Sequence, residues 1–110
     1  MATTQFIHFS ICTFNDCEQD SPAIHPAATF APTEPIDTDQ WVAVAKSWGA
    51  KQVCLTAHHS GGFALWPTNL TQYGVRQSPY LNGTADIVRD FVGSCRRGGV
   101  SPCLYFIPAW

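Results

Sequence analysis

The chain has 110 residues, enough for one small domain around a single core. Apolar residues make up 45% of it, charged residues 13%, and the formal net charge is −2. That composition suits a buried α/β scaffold and offers no basic stripe for nucleic acid; the Arg96-Arg97 pair reads as a solvated helix C-terminus. No apolar run approaches the roughly 20 residues that span a bilayer. Met1 to Gln5 lack the basic n-region and apolar h-region of a signal peptide.

In chain order, Phe6 to Ile11 (FIHFSI) is aromatic and β-branched and predicts a first strand. Its apolar residues do not alternate cleanly, as in parallel strands buried on both faces. From Cys12 to Ile36 the chain is rich in Pro, Asp, Thr and Ala and reads as a long loop. Asp37 then caps a helix, with Gln40 completing a variant of the capping box. Trp41, Val44, Ala45 and Trp48 follow at helical spacing as its packing stripe, and Gly49 supplies a left-handed stop. Gln52 to Ala57 is the second strand, running into His58-His59-Ser60-Gly61-Gly62 and a loop that carries Trp66. Asn82 or Thr84 caps a second helix with the stripe Ile87, Val88, Phe91, Val92 and Cys95, ended by Gly98-Gly99. Ser101 to Ile107 is the third strand.

The order β-α-β-α-β implies a parallel sheet, and ligand sites in such folds lie at the carboxyl ends of the strands. His8, the segment from Cys12 to Asp20, and His58 to Trp66 all fall at that edge. The loops leaving the first two strands are long, and those returning from the helices are short, which marks the same edge as the functional face. His8 can be read as a bonded core histidine or as a ligand-facing one. His58 and His59 are adjacent on an extended segment, so their side chains are expected on opposite sides unless the backbone turns. A strand HxH is absent, which argues against a metal site, although a metal-dependent hydrolase using His8 and His59 is an alternative. Asp16 and Glu18 form a spaced carboxylate pair of the kind used on glycosides, but loop carboxylates more often cap or face solvent.

Five cysteines are present without a CxxC pair, so a zinc ribbon is not expected. Cys54 and Cys103 sit in strand-like runs as small buried hydrophobes, and Cys12 and Cys17 are close enough to bridge across a loop. Two sequons, Asn69-Leu70-Thr71 and Asn82-Gly83-Thr84, permit N-glycosylation in a secreted protein.

At FIHF (6–9), TFNDCE (13–18), LTAHHSGGFALWPT (55–68) and LYFIPAW (104–110) the chain resembles the α-L-fucosidases of glycoside hydrolase family 29. The family's pattern there runs approximately FxHFGxNTFxxxEW, LTAKHHDGFxLWPS and LYxSPW. The resemblance implies a retaining exo-glycosidase acting on terminal α-L-fucose, with residues 1–110 as the N-terminal part of its catalytic domain. It implies an incomplete (β/α)8 TIM barrel of α/β class, the first β-α-β-α-β portion only. It further implies a secreted or lysosomal parent protein, a fucosylated glycan or small fucoside as ligand, and no cofactor or metal.

By the same resemblance the sugar would be held by His8, Glu18, His58, His59 and Trp66. Aligned without gaps, the family's two adjacent histidines fall on His59 and Ser60; a slip of one residue puts them on His58 and His59. Gln19 stands where the family has Trp, Ser10 where it has Gly, and HHSGG where it has KHHDG. The family's nucleophile is an Asp at the end of the fourth strand and its acid/base comes later still. A retaining mechanism needs both carboxyls about 5–5.5 Å apart, so no catalytic residue is expected in these 110 positions. A non-catalytic or vestigial carbohydrate-binding protein is the alternative reading. Three strands alone leave two open sheet edges and one apolar side uncovered.

Overall fold

A computed structural model describes residues 3–17 and 21–108. Three strands, β1 (Thr4–Ile7), β2 (Gln52–His58) and β3 (Ser101–Phe106), form one sheet in the order β1-β2-β3. Both neighbouring pairs are parallel, with Phe6 beside Cys54 and Cys54 beside Cys103. Helices α1 (Cys12–Asn15), α2 (Thr38–Ser47) and α3 (Ile87–Gly98) lie in the connections. The predicted element order is thus observed.

Side chains alternate across β2. Val53 and Leu55 enter the core under the helices, where Val42, Ala45, Ile87, Phe91 and Cys95 are also buried. Phe6, Cys54, Cys103, Thr56 and Tyr105 share the other face by register. That face lacks a covering layer among the described residues: Phe6 is 49% exposed and Tyr105 41%.

Asp37 caps α2 as expected, its carboxylate accepting from the Gln40 N–H at 3.1 Å. The packing stripe differs from the expected one. Thr38, Val42 and Ala45 are buried, Trp41 is partly buried, while Val44 and Trp48 are exposed. The stripe is rotated because its first member is polar. Thr38 Oγ1 lies 2.6 Å from Ser94 Oγ of α3, and this buried hydroxyl pair holds the two helices together. Ser94 in turn donates to Asp39 at 2.6 Å, and Arg97 reaches the same carboxylate at 2.8 Å. Gly98 lets the helices approach, since a Cβ there would come 2.5 Å from Val42 Cγ1.

The cap of α3 is also corrected. Asp86 accepts from the Arg89 N–H at 2.9 Å, whereas Thr84 Oγ1 donates to the Leu81 carbonyl at 2.6 Å and closes the preceding turn. Leu81 and Asn82 occupy left-handed backbone there, so neither Asn82 nor Thr84 begins the helix. Gly99, at φ +73°, ends α3 as anticipated.

The described residues between Cys12 and Ile36 are more ordered than the composition of that stretch suggests. It contains α1 and a 3-10 turn at Ala27–Thr29, and it delivers fully buried Phe30 into the core. Phe30 meets Phe9, Phe14, Phe63 and Tyr80 at centroid distances of 5.1–6.0 Å. This aromatic cluster roofs the sheet end from which the functional loops leave.

Candidate functional site

The first strand ends at Ile7, earlier than the expected Ile11, and this sets the position of His8. Ser10 and Thr13 redirect the chain: Thr13 Oγ1 accepts from the Ser10 N–H and Ser10 Oγ from the Cys12 N–H, each at 3.2 Å. These two backbone-to-hydroxyl bonds start α1 directly after the strand. His8 is left at the carboxyl end of β1 with an exposed side chain beside Phe6, their rings 6.2 Å apart. It is therefore not a buried core histidine.

The second strand carries a bulge. Tyr105 pairs with Thr56 and Phe106 with His58, so one extra residue of β2 is accommodated between them. Strict alternation would send His58 to the face of Thr56 and His59 to the helix side. The bulge reverses this. His58 is fully buried with Phe106 and Trp66, at centroid distances of 5.0 and 6.0 Å, and its Nδ1 lies 2.5 Å from the Ile107 carbonyl. His59 emerges on the opposite face, its ring stacked on Tyr105 at 5.9 Å and 6.1 Å from His8.

His8 and His59 meet across an open cavity of about 320 Å³, lined also by Ser10, Cys12, Thr13, Thr56 and Cys17. A disulfide joins Cys12 to Cys17 and forms one wall, so the bridge that spacing allowed is present. Two imidazoles and three hydroxyls at one sheet edge can donate and accept together, which suits a small polyhydroxylated ligand. Tyr105 holds the His59 ring from beneath.

Of the residues expected at the sugar, His8 and His59 are brought together here. His58 and Trp66 pack against each other away from the cavity, Trp66 against Phe106 as well. Glu18 lies outside the described residues, as does Gln19. Asp16 is exposed in left-handed backbone at the end of α1. Thr56 and Tyr105 were not among the expected site residues. Thr56 was within reach of sequence reasoning, since it shares the parity of Cys54; Tyr105 follows only once the strand register is known. Among the described residues, no three His, Cys, Asp or Glu side chains cluster as a metal cage requires. Among the described residues, no helix is long and apolar enough to cross a membrane.

Comparison with known proteins converges on one family. The model of the Alpha-L-fucosidase family matches residues 8–109. Alpha-L-fucosidase 1 of Arabidopsis thaliana is 38% identical over 103 residues, 94% of this chain and 20% of its own length. A glycoside hydrolase 29 family member from an unknown rumen bacterium superposes with a TM-score of 0.89 at 35% identity, over 96% of this chain and 19% of that one. A Ruminococcus gnavus fucosidase of the same glycoside hydrolase family, solved in complex with fucose, gives a TM-score of 0.82 at 29% identity, over 96% of this chain and 22% of its own. The chain thus spans about a fifth of the length of the relatives it matches. Over that fifth, sequence and fold agree, and the chain belongs to the α-L-fucosidase family.

Proposed function

We propose that residues 1–110 are the first β-α-β-α-β portion of a (β/α)8 catalytic barrel that hydrolyses terminal α-L-fucose from glycoconjugates. The observation that carries this reading is the meeting of His8 and His59 at the carboxyl edge of a parallel sheet. A neutral imidazole offers one donor and one acceptor, matching sugar hydroxyls that are both. Glu18, one residue past the Cys12–Cys17 bridge, is read as a further sugar ligand. His58 and Trp66 support the loop from behind, and the hydroxyls of Ser10, Thr13 and Thr56 complete the polar lining. The ligand in this reading is a fucosylated glycan or small fucoside, as the fucose complex of the Ruminococcus gnavus relative suggests.

The exposed inner face supports the barrel reading. In a closed (β/α)8 barrel that face is packed by the side chains of other strands, whereas Phe6 and Tyr105 stand open here. The nucleophile and the general acid/base belong to segments outside these residues, so the 110-residue chain by itself is inactive. A disulfide and two exposed sequon asparagines, Asn69 and Asn82, favour a secreted or lysosomal parent protein.

The test is to express the reading frame through and beyond the Trp110 codon and assay 4-nitrophenyl α-L-fucoside. Release of nitrophenol by the extended protein, with none from residues 1–110, is the expected result. Turnover by the 110-residue chain would contradict it. A stop directly after Trp110 would favour a non-catalytic, sugar-binding role instead.

A further inference from the structure

The β2–α3 connection carries both sequons, Asn69-Leu70-Thr71 and Asn82-Gly83-Thr84. It leaves the central strand of the sheet, so its exposure does not arise from the open edges at β1 and β3. Around Asn82 the chain makes a tight turn with an anchored base and a free tip. At the base, the Tyr80 hydroxyl accepts from the Ile36 N–H at 2.9 Å, and the Tyr80 ring packs on Phe30 at 6.0 Å. Gly83 lies against Arg76, where a Cβ would overlap the Arg76 carbonyl oxygen. The Thr84 N–H and hydroxyl both donate to the Leu81 carbonyl, at 3.1 and 2.6 Å. At the tip, Leu81 and Asn82 are exposed in left-handed backbone, which asparagine tolerates better than most residues. The two sequon asparagines differ in their partners. Asn69 Oδ1 accepts from the Arg76 guanidinium, whereas the Asn82 carboxamide makes no hydrogen bond among the described residues. Neither asparagine lines the histidine cavity.

We propose that Asn82 is the attachment site of an N-linked oligosaccharide. The acceptor motif requires Thr or Ser two residues on and any residue except Pro between, and Thr84 and Gly83 fill those positions. The donor is a lipid-diphosphate-linked oligosaccharide. A bond forms between Asn82 Nδ2 and C1 of the sugar, the C1–O bond to the diphosphate breaks, and the amide proton leaves with the lipid diphosphate. The folded turn must then carry a bulky, solvated group. The Asn82 tip does so without giving up a hydrogen bond or filling the cavity, while at Asn69 the same group would displace Arg76. Attachment rests on the secreted or lysosomal reading above, since only there does the acceptor meet this donor.

The experiment expresses the full parent protein behind a secretory leader in a eukaryotic host and maps its tryptic glycopeptides. Peptide 77–89 holds Asn82 and peptide 52–76 holds Asn69, so the two sequons are read separately. Peptide 77–89 should carry an oligosaccharide. Treating the folded protein with peptide:N-glycosidase in heavy-oxygen water should release it and leave heavy-labelled Asp at position 82. The label separates this from spontaneous deamidation of Asn82-Gly83 in ordinary water. Asn82→Asp, which keeps a side chain that tolerates left-handed backbone, should be secreted with one oligosaccharide fewer. A bare 77–89 peptide, sugar on 52–76 alone, or release only after denaturation would overturn the proposal. Protein purified from its own source separates the two readings. A bare 77–89 peptide there, beside a glycosylated one from the secretory host, would count against the secreted parent and leave the attachment site standing. None of these outcomes depends on fucose hydrolysis.

Discussion

His58 and His59 are consecutive in the chain, yet their rings lie on opposite faces of the sheet. His58 is fully buried against Phe106, and His59 stacks on Tyr105 beside His8. The β2 bulge opposite Phe106 produces this split. The two residues should therefore fail in different ways when truncated. His58→Ala opens a cavity and removes the partner of the Ile107 carbonyl; a loss of about 2–4 kcal/mol is expected. His59→Ala, at the edge of the open cavity, should change stability by no more than about 0.5 kcal/mol. Urea unfolding of both variants at low micromolar concentration checks this, and equal losses would count against the split.

Asp39 ties α2 to α3. The Ser94 hydroxyl and then the Arg97 guanidinium hold its carboxyl below the usual carboxylate range. A lowered carboxyl value stabilises the fold above the unfolded-state pKa, about 4. That contribution is lost as the pH falls through the lower folded-state value. The carboxylate is solvent-exposed and screened, so the effect is modest. The urea midpoint of Asp39→Asn should lie below wild type at about pH 6 and converge with it at about pH 2.5. A constant offset across that range would contradict the assignment.

Gly98 and Gly99 are adjacent but are required for different reasons. A methyl group at Gly98 would strike Val42 Cγ1, whereas one at Gly99 would meet nothing within 4 Å and suffers only the φ of +73°. Gly98→Ala should cost about 1–3 kcal/mol through overpacking, and Val42→Ala on top of it should recover part of the loss. Gly99→Ala should cost about 1 kcal/mol with no such recovery. The double-mutant cycle distinguishes the two; additivity at Gly98 and Val42 would show that the helices do not meet there.

The open inner face and third-strand edge should drive self-association. Phe6 and Tyr105 on the inner face, and Leu104 and Phe106 on the helix side of the third strand, are each 41–49% exposed, and apolar surface left open at a sheet edge seeks a partner. Light scattering after size exclusion should show the isolated chain growing in mass with concentration. Replacing Phe6 and Tyr105 together by Ser should reduce that growth. A wild-type chain that stays monomeric at high concentration would contradict the prediction.

The element order, the Asp37 cap and the Gly99 stop were legible because each rests on local chemistry that needs no tertiary partner. His8 was assigned to the correct sheet edge, although the strand was expected to run past it to Ile11 and instead ends at Ile7. The rotated face of α2 was not legible, since Thr38 becomes a core residue only by bonding Ser94, 56 positions away. Trp48 carries the larger apolar surface and so attracts a packing role that the fold does not give it. The order hidden between Cys12 and Ile36 depends on small hydroxyl-to-backbone bonds and on one buried ring, Phe30, none of which has a period. The bulge was equally invisible, because it is a property of the β2–β3 register and not of either strand. It decides which of two identical neighbours faces the cavity.

The central claim is that His8 and His59 receive fucose. The most direct measurement follows the imidazole NMR signals of the chain's four histidines during titration with L-fucose, with D-fucose as the mirror-image control. His8 and His59 should shift together with L-fucose, while His25 and buried His58 stay in place and D-fucose leaves all four unmoved. A shift at His58 without His59, or the same response to both enantiomers, would contradict the account.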